Sequence, residues 1–303
     1  MTDTQVHNIH TGASMEAELI SQPEAWEQAV GLIAERKLLP ASGERIAVVG
    51  CGTSWFMAQS YAAARESGGH GVTDAYAASE AFVDRGYDAI VAITRSGTTT
   101  EVLELLNGVR GGTRRVGIVG DPDSPLVDLV DDVVKLTFAD EKSVVQTRFA
   151  TTALAFLRAS LGEDLTRAIA DGREAVSAEL AEELVSASQY SFLGRGWTVG
   201  LAHEAALKMR EAAQSWTESY PAKEYRHGPI SIAAPGRVTW MFGEAPEGLF
   251  ADIAVTGAYY ENRPVDAMAD LIRVQRVALE RARRAGLDPD WPRNLTRSVI
   301  LES

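Results

Sequence analysis

The feature that most restricts the fold of this chain is an internal repeat with an offset of 144 residues. An apolar run at 46–49 leads into Gly50-Cys51-Gly52, and a second run at 191–193 leads into Gly194-Arg195-Gly196. The same offset aligns three further pairs, namely Tyr76 with Tyr220, Ala78 with Ala222, and Glu80 with Glu224. Agreement of several landmarks on one offset predicts a duplicated strand–helix unit.

Apolar strand patterns alternate with helical patterns along the chain. Further strands are predicted near 89–93, 115–119, 133–137 and 238–242, with helical patterns over 99–110 and 263–285. This alternation predicts an α/β protein with two doubly wound parallel sheets of the flavodoxin-like type, in which ligands bind at the carboxyl ends of the strands. The second sheet should lack one strand–helix pair, because few residues follow its strand at 238–242.

The repeat also predicts where the chain divides into domains. A polar helical stretch over 163–189 is typical of a connector. The predicted domains are therefore residues 1–185, which would bind the anion, and residues 186–303, which would carry the acid and base residues and the C-terminal tail.

Composition excludes several classes of function. The formal net charge of -13 argues against nucleic-acid binding, and no apolar run is long enough to span a membrane. The polar N-terminus lacks the pattern of a secretory signal, and the single cysteine, Cys51, fits a reducing compartment. We expect a cytoplasmic protein. If it binds an anion, helix N-termini and a few cations must supply the local positive potential.

Hydroxyl side chains are concentrated in the loop that follows the strand at 89–93. Thr94, Arg95, Ser96, Thr98 and Thr99 precede the next helix, whose N-terminus carries roughly half a positive charge. The turn after the first strand contributes Thr53 and Ser54 in the same way. Ordinary helix capping would explain one such loop, but two at adjacent strand ends predict an anion site.

Two other phosphate-binding patterns are absent. Trp55 stands where a dinucleotide motif beginning Gly50-x-Gly52 would need its third glycine, and no P-loop pattern occurs. The matching loop of the second repeat, Gly243-Glu244-Ala245-Pro246, has no hydroxyl group and carries a carboxylate. The first repeat is therefore predicted to bind the anion, and the second to act differently.

One polar stripe lies on an otherwise apolar helix of the second repeat. Glu204, Lys208, Glu211 and Ser215 fall within about a 60° arc. A surface ion pair between Glu204 and Lys208 is the simpler explanation when the helix is taken alone.

A histidine suited to proton transfer follows in the turn Glu224-Tyr225-Arg226-His227-Gly228-Pro229. His7, His10, His70 and His203 are assigned no role. The sequence shows no convincing metal cluster, and no cofactor is predicted.

These motifs resemble the sugar isomerases that contain two SIS domains. The family includes the isomerase domain of glucosamine-6-phosphate synthase and the tagatose/galactosamine-6-phosphate isomerase-deaminases. The resemblance rests on the following segments, in chain order: Cys51-Gly52-Thr53-Ser54, Arg95-Ser96-Gly97, residues 141–147, Gly194-Arg195-Gly196, residues 204–211, Arg226-His227-Gly228-Pro229 and residues 292–299. It therefore covers nearly the whole chain.

The resemblance implies roles for individual residues. Ser54, Ser96 and Thr99 match the hydroxyls that bind the sugar phosphate, and Val144 lies in a segment that contacts the sugar. Glu211 matches the base that moves a proton between C1 and C2, with Lys208 and Glu204 assisting. His227 matches the ring-opening histidine, which in this family one subunit of a dimer contributes to the active site of the other. Arg297 replaces the tail lysine of the synthase, and it cannot form an imine because it stays protonated. It is predicted instead to bind the substrate, either by closing over the anion or by stabilising the enediolate oxygen.

The resemblance thus predicts a homodimeric aldose–ketose isomerase with a shared active site, acting on a phosphorylated or otherwise C6-anionic sugar through a cis-enediol. An amino-sugar-phosphate deaminase and a non-catalytic sugar-phosphate sensor remain alternatives. A sensor would need the hydroxyl loops but neither Glu211 nor His227.

Overall fold

A computed structural model describes residues 11–301. Its helices are α1 (Ala13–Ile20), α2 (Gln22–Val30), α3 (Thr53–Ser67), α4 (Thr100–Gly108), α5 (Arg148–Ser160), α6 (Thr166–Ala175), α7 (Glu182–Ser186), α8 (Thr198–Ala213), α9 (Leu249–Ala254) and α10 (Ala267–Arg284). Its strands are β1 (Ile46–Gly50), β2 (Thr73–Ala77), β3 (Ala89–Thr94), β4 (Arg114–Val119), β5 (Asp132–Lys135), β6 (Gln189–Gly194), β7 (Thr217–Pro221), β8 (Arg237–Met241) and β9 (Tyr259–Asn262).

The described chain divides into two compact units. The five-stranded unit contains residues 22–141, 148–169 and the tail from 297, and the four-stranded unit contains residues 11–21, 142–147 and 170–296. The predicted domains, 1–185 and 186–303, follow the internal repeat instead of this division and stay a prediction.

The five-stranded unit is a doubly wound parallel sheet. Its strand order is β2-β1-β3-β4-β5, and every pair is parallel. Val102 and Leu106 of α4 pack against β1 and β3 on one face, while α3 packs against β1 and β2. The strand order changes direction between β1 and β3, so the loops that follow these two strands border the crevice where such sheets bind ligands.

The four-stranded unit repeats this pattern with one strand fewer. Its order is β7-β6-β8-β9, again all parallel. Leu249 and Ile253 of α9 lie in one apolar cluster with Leu193 and Met241, while α8 packs against β6 and β7 and also contacts α10. The predicted shortening of the second sheet is confirmed, although β9 occupies a segment in which the sequence indicated no strand.

The internal repeat is visible in the strand registers. Ile46 pairs with Thr73 in the first sheet, and Tyr190 pairs with Thr217 in the second, so both partners are displaced by 144 residues. The strand-to-helix turns are equally tight. A Cβ atom at Gly50 would lie 2.8 Å from the Ser54 backbone, and one at Gly194 would lie 2.2 Å from the Thr198 carbonyl oxygen. Glycine is therefore required where α3 and α8 begin.

Candidate active site

The loop after β3 gathers its hydroxyl groups at the start of α4. Thr99 is the N-cap of α4, and Ser96 Oγ accepts hydrogen bonds from Thr98 N (3.3 Å) and Thr98 Oγ1 (3.0 Å). Gly97 has a φ of 62°, and a Cβ atom there would meet Ser124 Oγ at 1.9 Å. Close packing against Ser124 thus holds the loop in this conformation.

The guanidinium group of Arg95 makes polar contacts with other residues of the five-stranded unit. Its side chain is buried, one terminal nitrogen donates to the Arg297 carbonyl oxygen at 2.8 Å, and the other lies 3.9 Å from a carboxylate oxygen of Glu141. The expectation that Arg95 supplies positive charge to an anion stays a prediction, and any anion would share that charge with Glu141. Much of that charge is already balanced by Glu141, because a buried cation requires a counter-charge.

The turn after β1 places Thr53 and Ser54 at the first two positions of α3. Both residues are buried, and the N-cap is Gly52 with a φ of 52°. Their position at the start of a long helix agrees with the predicted use of a helix N-terminus.

Two further predicted contacts lie in irregular segments. Val144 is buried in the four-stranded unit, where its N–H donates to the Asp290 carbonyl oxygen at 3.1 Å. Arg297 belongs to the five-stranded unit. It donates to a carboxylate oxygen of Asp140 at 2.5 Å and to the Glu141 carbonyl oxygen at 3.1 Å, and both charged side chains are partly exposed. The guanidinium group of Arg297 is thus paired within its own unit.

A buried ion cluster occupies the polar stripe of α8. The side chains of Glu204 and Lys208 are at most 1% exposed, with Lys208 Nζ 3.5 Å from Glu204 Oε1. The same ammonium group also donates to Glu211 Oε2. The surface-pair explanation is therefore wrong, since burying these charges costs far more than a surface pair returns. Ser215, the fourth member of the stripe, accepts a hydrogen bond from Arg281 Nε at 3.1 Å instead.

Glu211 is the member of this cluster that reaches solvent. Its side chain is 20% exposed and lines a cavity of about 430 Å³. The remaining lining residues are Leu207, Arg210, Gln214, Ser215, Arg293 and Leu295. Arg210 is held by hydrogen bonds to Thr217. Burial lowers the pKa of the neighbouring His203 imidazole, and the positive charge of Arg210 lowers it further. A ligand in this cavity would meet a carboxylate whose charge is stabilised by an ammonium group behind it.

His227 ends a short 3₁₀ turn, Glu224–His227, and is exposed. Its neighbour Arg226 is fixed by Asp252 (2.5 Å) and the Glu247 carbonyl oxygen (2.7 Å). No hydrogen bond or ion pair joins the His227 ring to Lys208, Glu211 or any other residue within 11–301. The ring is therefore accessible, and no hydrogen bond or ion pair from the described residues positions it.

Sequence reasoning missed two sets of residues near these groups. Arg210 and Arg293 line the Glu211 cavity, and Ser298 contacts the hydroxyl loop at Ser96 and Thr98. The tail was noted only through its resemblance to the synthase, which did not indicate where it lies.

The described residues contain no group of three or more His, Cys, Asp or Glu side chains that could hold a metal ion. No helix between residues 11 and 301 is long and apolar enough to cross a membrane. His7 and His10 lie outside the described residues.

Comparisons with known proteins agree with this α/β fold. Residues 39–161 match the SIS domain family. The isomerizing glutamine–fructose-6-phosphate aminotransferase of Gloeobacter violaceus is 27% identical to this chain, over 86% of the chain and 52% of the relative. The chain thus spans about half the length of the curated relatives it matches.

Solved structures show the same fold. The C-terminal domain of glucosamine-fructose-6-phosphate aminotransferase from Francisella tularensis superposes with a TM-score of 0.79 at 22% identity, covering 96% of this chain and 100% of that one. Glucosamine-6-phosphate deaminase from Thermotoga maritima superposes with a TM-score of 0.77, also at 22% identity, over 95% and 100%. Residues 39–161 are thus similar to the SIS domain, and the resemblance of the chain to the double-SIS sugar isomerases is confirmed.

Proposed function

We propose that the chain is an aldose–ketose isomerase acting on a phosphorylated, or otherwise C6-anionic, sugar through a cis-enediol. The observation that carries this proposal is Glu211, a partly exposed carboxylate that lines a cavity and is hydrogen-bonded to the buried ammonium group of Lys208. A base fixed in this way can take a proton from one carbon and return it to the next.

The other roles follow from the chemistry of the reaction. Ser54, Ser96 and Thr99 lie at the N-termini of two helices and would bind the anion. Lys208, held between Glu204 and Glu211, would keep Glu211 oriented. His227 would open the sugar ring, and its exposure supports the proposal that it acts in the active site of a second subunit.

Arg210 and Arg293 add a feature that the sequence did not predict. Both line the cavity with Glu211. Negative charge develops on oxygen when a proton leaves the carbon next to a carbonyl group, and a guanidinium group nearby stabilises that charge. The cavity is thus suited to an enediolate intermediate.

Amino-sugar-phosphate deamination is the second candidate function. It is favoured by the similarity of the fold to a protein named as glucosamine-6-phosphate deaminase. The two reactions share the anion site and the base. Isomerisation only moves hydrogen between C1 and C2, whereas deamination also replaces the C2 nitrogen with oxygen from water and releases ammonia. Ammonia release from glucosamine 6-phosphate, compared with formation of an aldose from fructose 6-phosphate, separates them.

Glu211→Gln tests the proposal directly. The amide preserves size but cannot accept the proton, so exchange of the C1 hydrogen of fructose 6-phosphate with deuterated solvent should fall at least 100-fold. Binding of the sugar, measured by calorimetry, should change little. Glu280→Gln, on the exposed side of α10, is the matched control and should leave exchange unchanged.

Two results would contradict the proposal. Exchange at the wild-type rate in Glu211→Gln would remove Glu211 from the mechanism. Tight binding of hexose phosphates by the wild-type protein with no exchange and no ammonia release would favour the sensor.

A further inference from the structure

The C-terminal residues 298–301, called here the tail segment, dock on the loop that is proposed to bind the anion. Ser298 Oγ accepts hydrogen bonds from Ser96 Oγ (3.1 Å) and Thr98 Oγ1 (2.9 Å). The Val299 carbonyl oxygen accepts from Thr100 N at 3.2 Å, the first N–H of α4. Oxygen atoms of the tail segment therefore lie against the donors that an anion would use.

The number of available hydrogens makes this contact exclusive. Each hydroxyl group and each backbone amide has one hydrogen to donate. Thr98 Oγ1 lies within hydrogen-bond distance of both Ser298 Oγ and Ser96 Oγ, and its one hydrogen serves one of them at a time. When Ser96 donates to Ser298, Thr98 donates to Ser298 or Ser96, and Thr100 N donates to Val299, these three hydrogens cannot reach a phosphate oxygen. The Val299 carbonyl oxygen can only accept a hydrogen bond, so the direction of its bond with Thr100 N cannot be reversed.

The residue that precedes the tail segment is firmly held, whereas the segment itself is held more weakly. Arg297, the residue before the tail segment, is fixed by Asp140 and by the Glu141 carbonyl oxygen, and its own carbonyl oxygen accepts from Arg95 of the loop at 2.8 Å. Beyond Ser298 and Val299, the described tail is held to the loop by Leu301 N, which donates to Thr100 Oγ1 at 2.9 Å. Ile300 and Leu301 are exposed apolar side chains, so little burial opposes release.

We propose that the tail segment is an internal competitor of the anion, so that the loop after β3 binds either Ser298 and Val299 or the anionic group of the substrate. This inference rests on the proposed function, because it assumes that the loop binds an anion. It adds a regulation of that site: the apparent affinity for the anion is lowered by the fraction of molecules whose tail is docked.

Two substitutions in the exposed tail test the competition without risk to the core. Ser298→Ala removes the accepting hydroxyl, and Leu301→Pro removes the N–H that holds the tail to Thr100. The shift of melting temperature with inorganic phosphate concentration gives the dissociation constant for the minimal anion. Each substitution should tighten phosphate binding about three- to fivefold, the value of about one hydrogen bond. Ile300→Ala, whose side chain is 68% exposed, is the matched control and should bind as the wild type does.

The possible results separate this inference from the proposed function. Weaker binding in Ser298→Ala would show that Ser298 is part of the anion site, and unchanged binding in both variants would show that the tail does not compete. Either result overturns the inference while leaving the anion site intact. If neither the wild type nor any variant binds phosphate, the anion site itself is wrong. In the wild type, phosphate should also speed removal of the tail segment by carboxypeptidase, and slower removal would contradict competition.

Discussion

Ser96 lies at the centre of the hydrogen bonds at the start of α4. Its hydroxyl group connects Thr98 on one side with Ser298 on the other, and the side chain is buried. A hydroxyl in this position can serve a charged ligand or can simply support the loop. The two explanations differ in what they predict for neutral sugars.

Ser96→Ala should weaken binding of fructose 6-phosphate about 10- to 100-fold, because a hydrogen bond to a charged group contributes about 1.5–3 kcal/mol. Binding of fructose, where it can be measured, should change much less. Calorimetric titration of both sugars checks this, with Ser67→Ala on α3 as the control. Equal losses for the charged and the neutral sugar would mean that the loop is only a helix cap.

Arg95 shows that the partners of a predicted site residue do not follow from the sequence around it. The sequence places it correctly in the loop after β3, but its counter-charge, Glu141, comes from a distant part of the chain. Local spacing contains no information on such a pair. The same holds for Glu204 and Lys208, whose burial on α8 follows from packing against other elements.

Arg95→Ala should therefore destabilise the fold as well as disturb the loop. Removing one partner of a buried ion pair leaves an uncompensated charge and costs about 3 kcal/mol. Denaturant unfolding checks the value. Arg115→Ala, which breaks a more exposed pair with Asp131, should cost no more than about 1 kcal/mol. A loss for Arg95→Ala as small as that of the control would show that Glu141 does not depend on Arg95.

At the scale of elements, β9 is the strand that the sequence did not indicate. It is short and contains Glu261, whose buried carboxylate pairs with Arg273 of α10 at 2.6 Å. A charged residue in a four-residue segment opposes a strand prediction. The pairing that makes it acceptable is supplied by a helix that follows later in the chain.

Helix α10 carries a second buried carboxylate, Asp270. It accepts hydrogen bonds from Trp240 Nε1 (2.9 Å) and from Arg273 (2.8 Å). Burial raises the pKa of Asp270 to about 6, while Arg273 and Trp240 oppose the rise. In the unfolded chain the pKa is about 3.9. Because the folded value is the higher one, the stability that Asp270 contributes is present below about pH 4 and is lost as the pH rises to about 6.

Asp270→Asn should reveal this loss, since the amide does not titrate. The free energy of unfolding of the wild type, minus that of the variant, should fall by up to about 3 kcal/mol between pH 4 and pH 6 and stay constant above pH 7. Urea titrations at several pH values give the difference. A difference that rises with pH would show that Arg273 and Trp240 stabilise the charged form more than burial disfavours it.

At the scale of the whole molecule, the sequence predicted most of the architecture. The offset of 144 residues reappears in the paired registers of β1 with β2 and of β6 with β7, because glycine turns and buried strands leave a clear local pattern. The division into compact units could not be predicted in this way. Residues 142–147 join the four-stranded unit through contacts such as Ser143 N with Glu18 Oε1 (3.3 Å), which no local pattern indicates.

We expect the protein to be at least a dimer, because the ring of His227 is exposed and has no positioning partner within the described part of its own chain. Two-fold symmetry is the commonest arrangement and would bring His227 to a second subunit. Light scattering checks the mass. A fully active species of 32.6 kDa would reject both the dimer and the shared histidine.

Helix α8 starts in direct contact with the end of β6, where a Cβ atom at Gly194 would lie 2.2 Å from the Thr198 carbonyl oxygen. The helix has no room to slide along the strand. Glu211 lies near the other end of the same helix, where Lys208 holds its carboxylate, so its position depends on the placement of that helix. Arg293 and Leu295 form another part of the lining and lie outside helices and strands. Adjustment to sugars of different shape would have to come from that side, and the reacting carbons would be brought to the carboxylate.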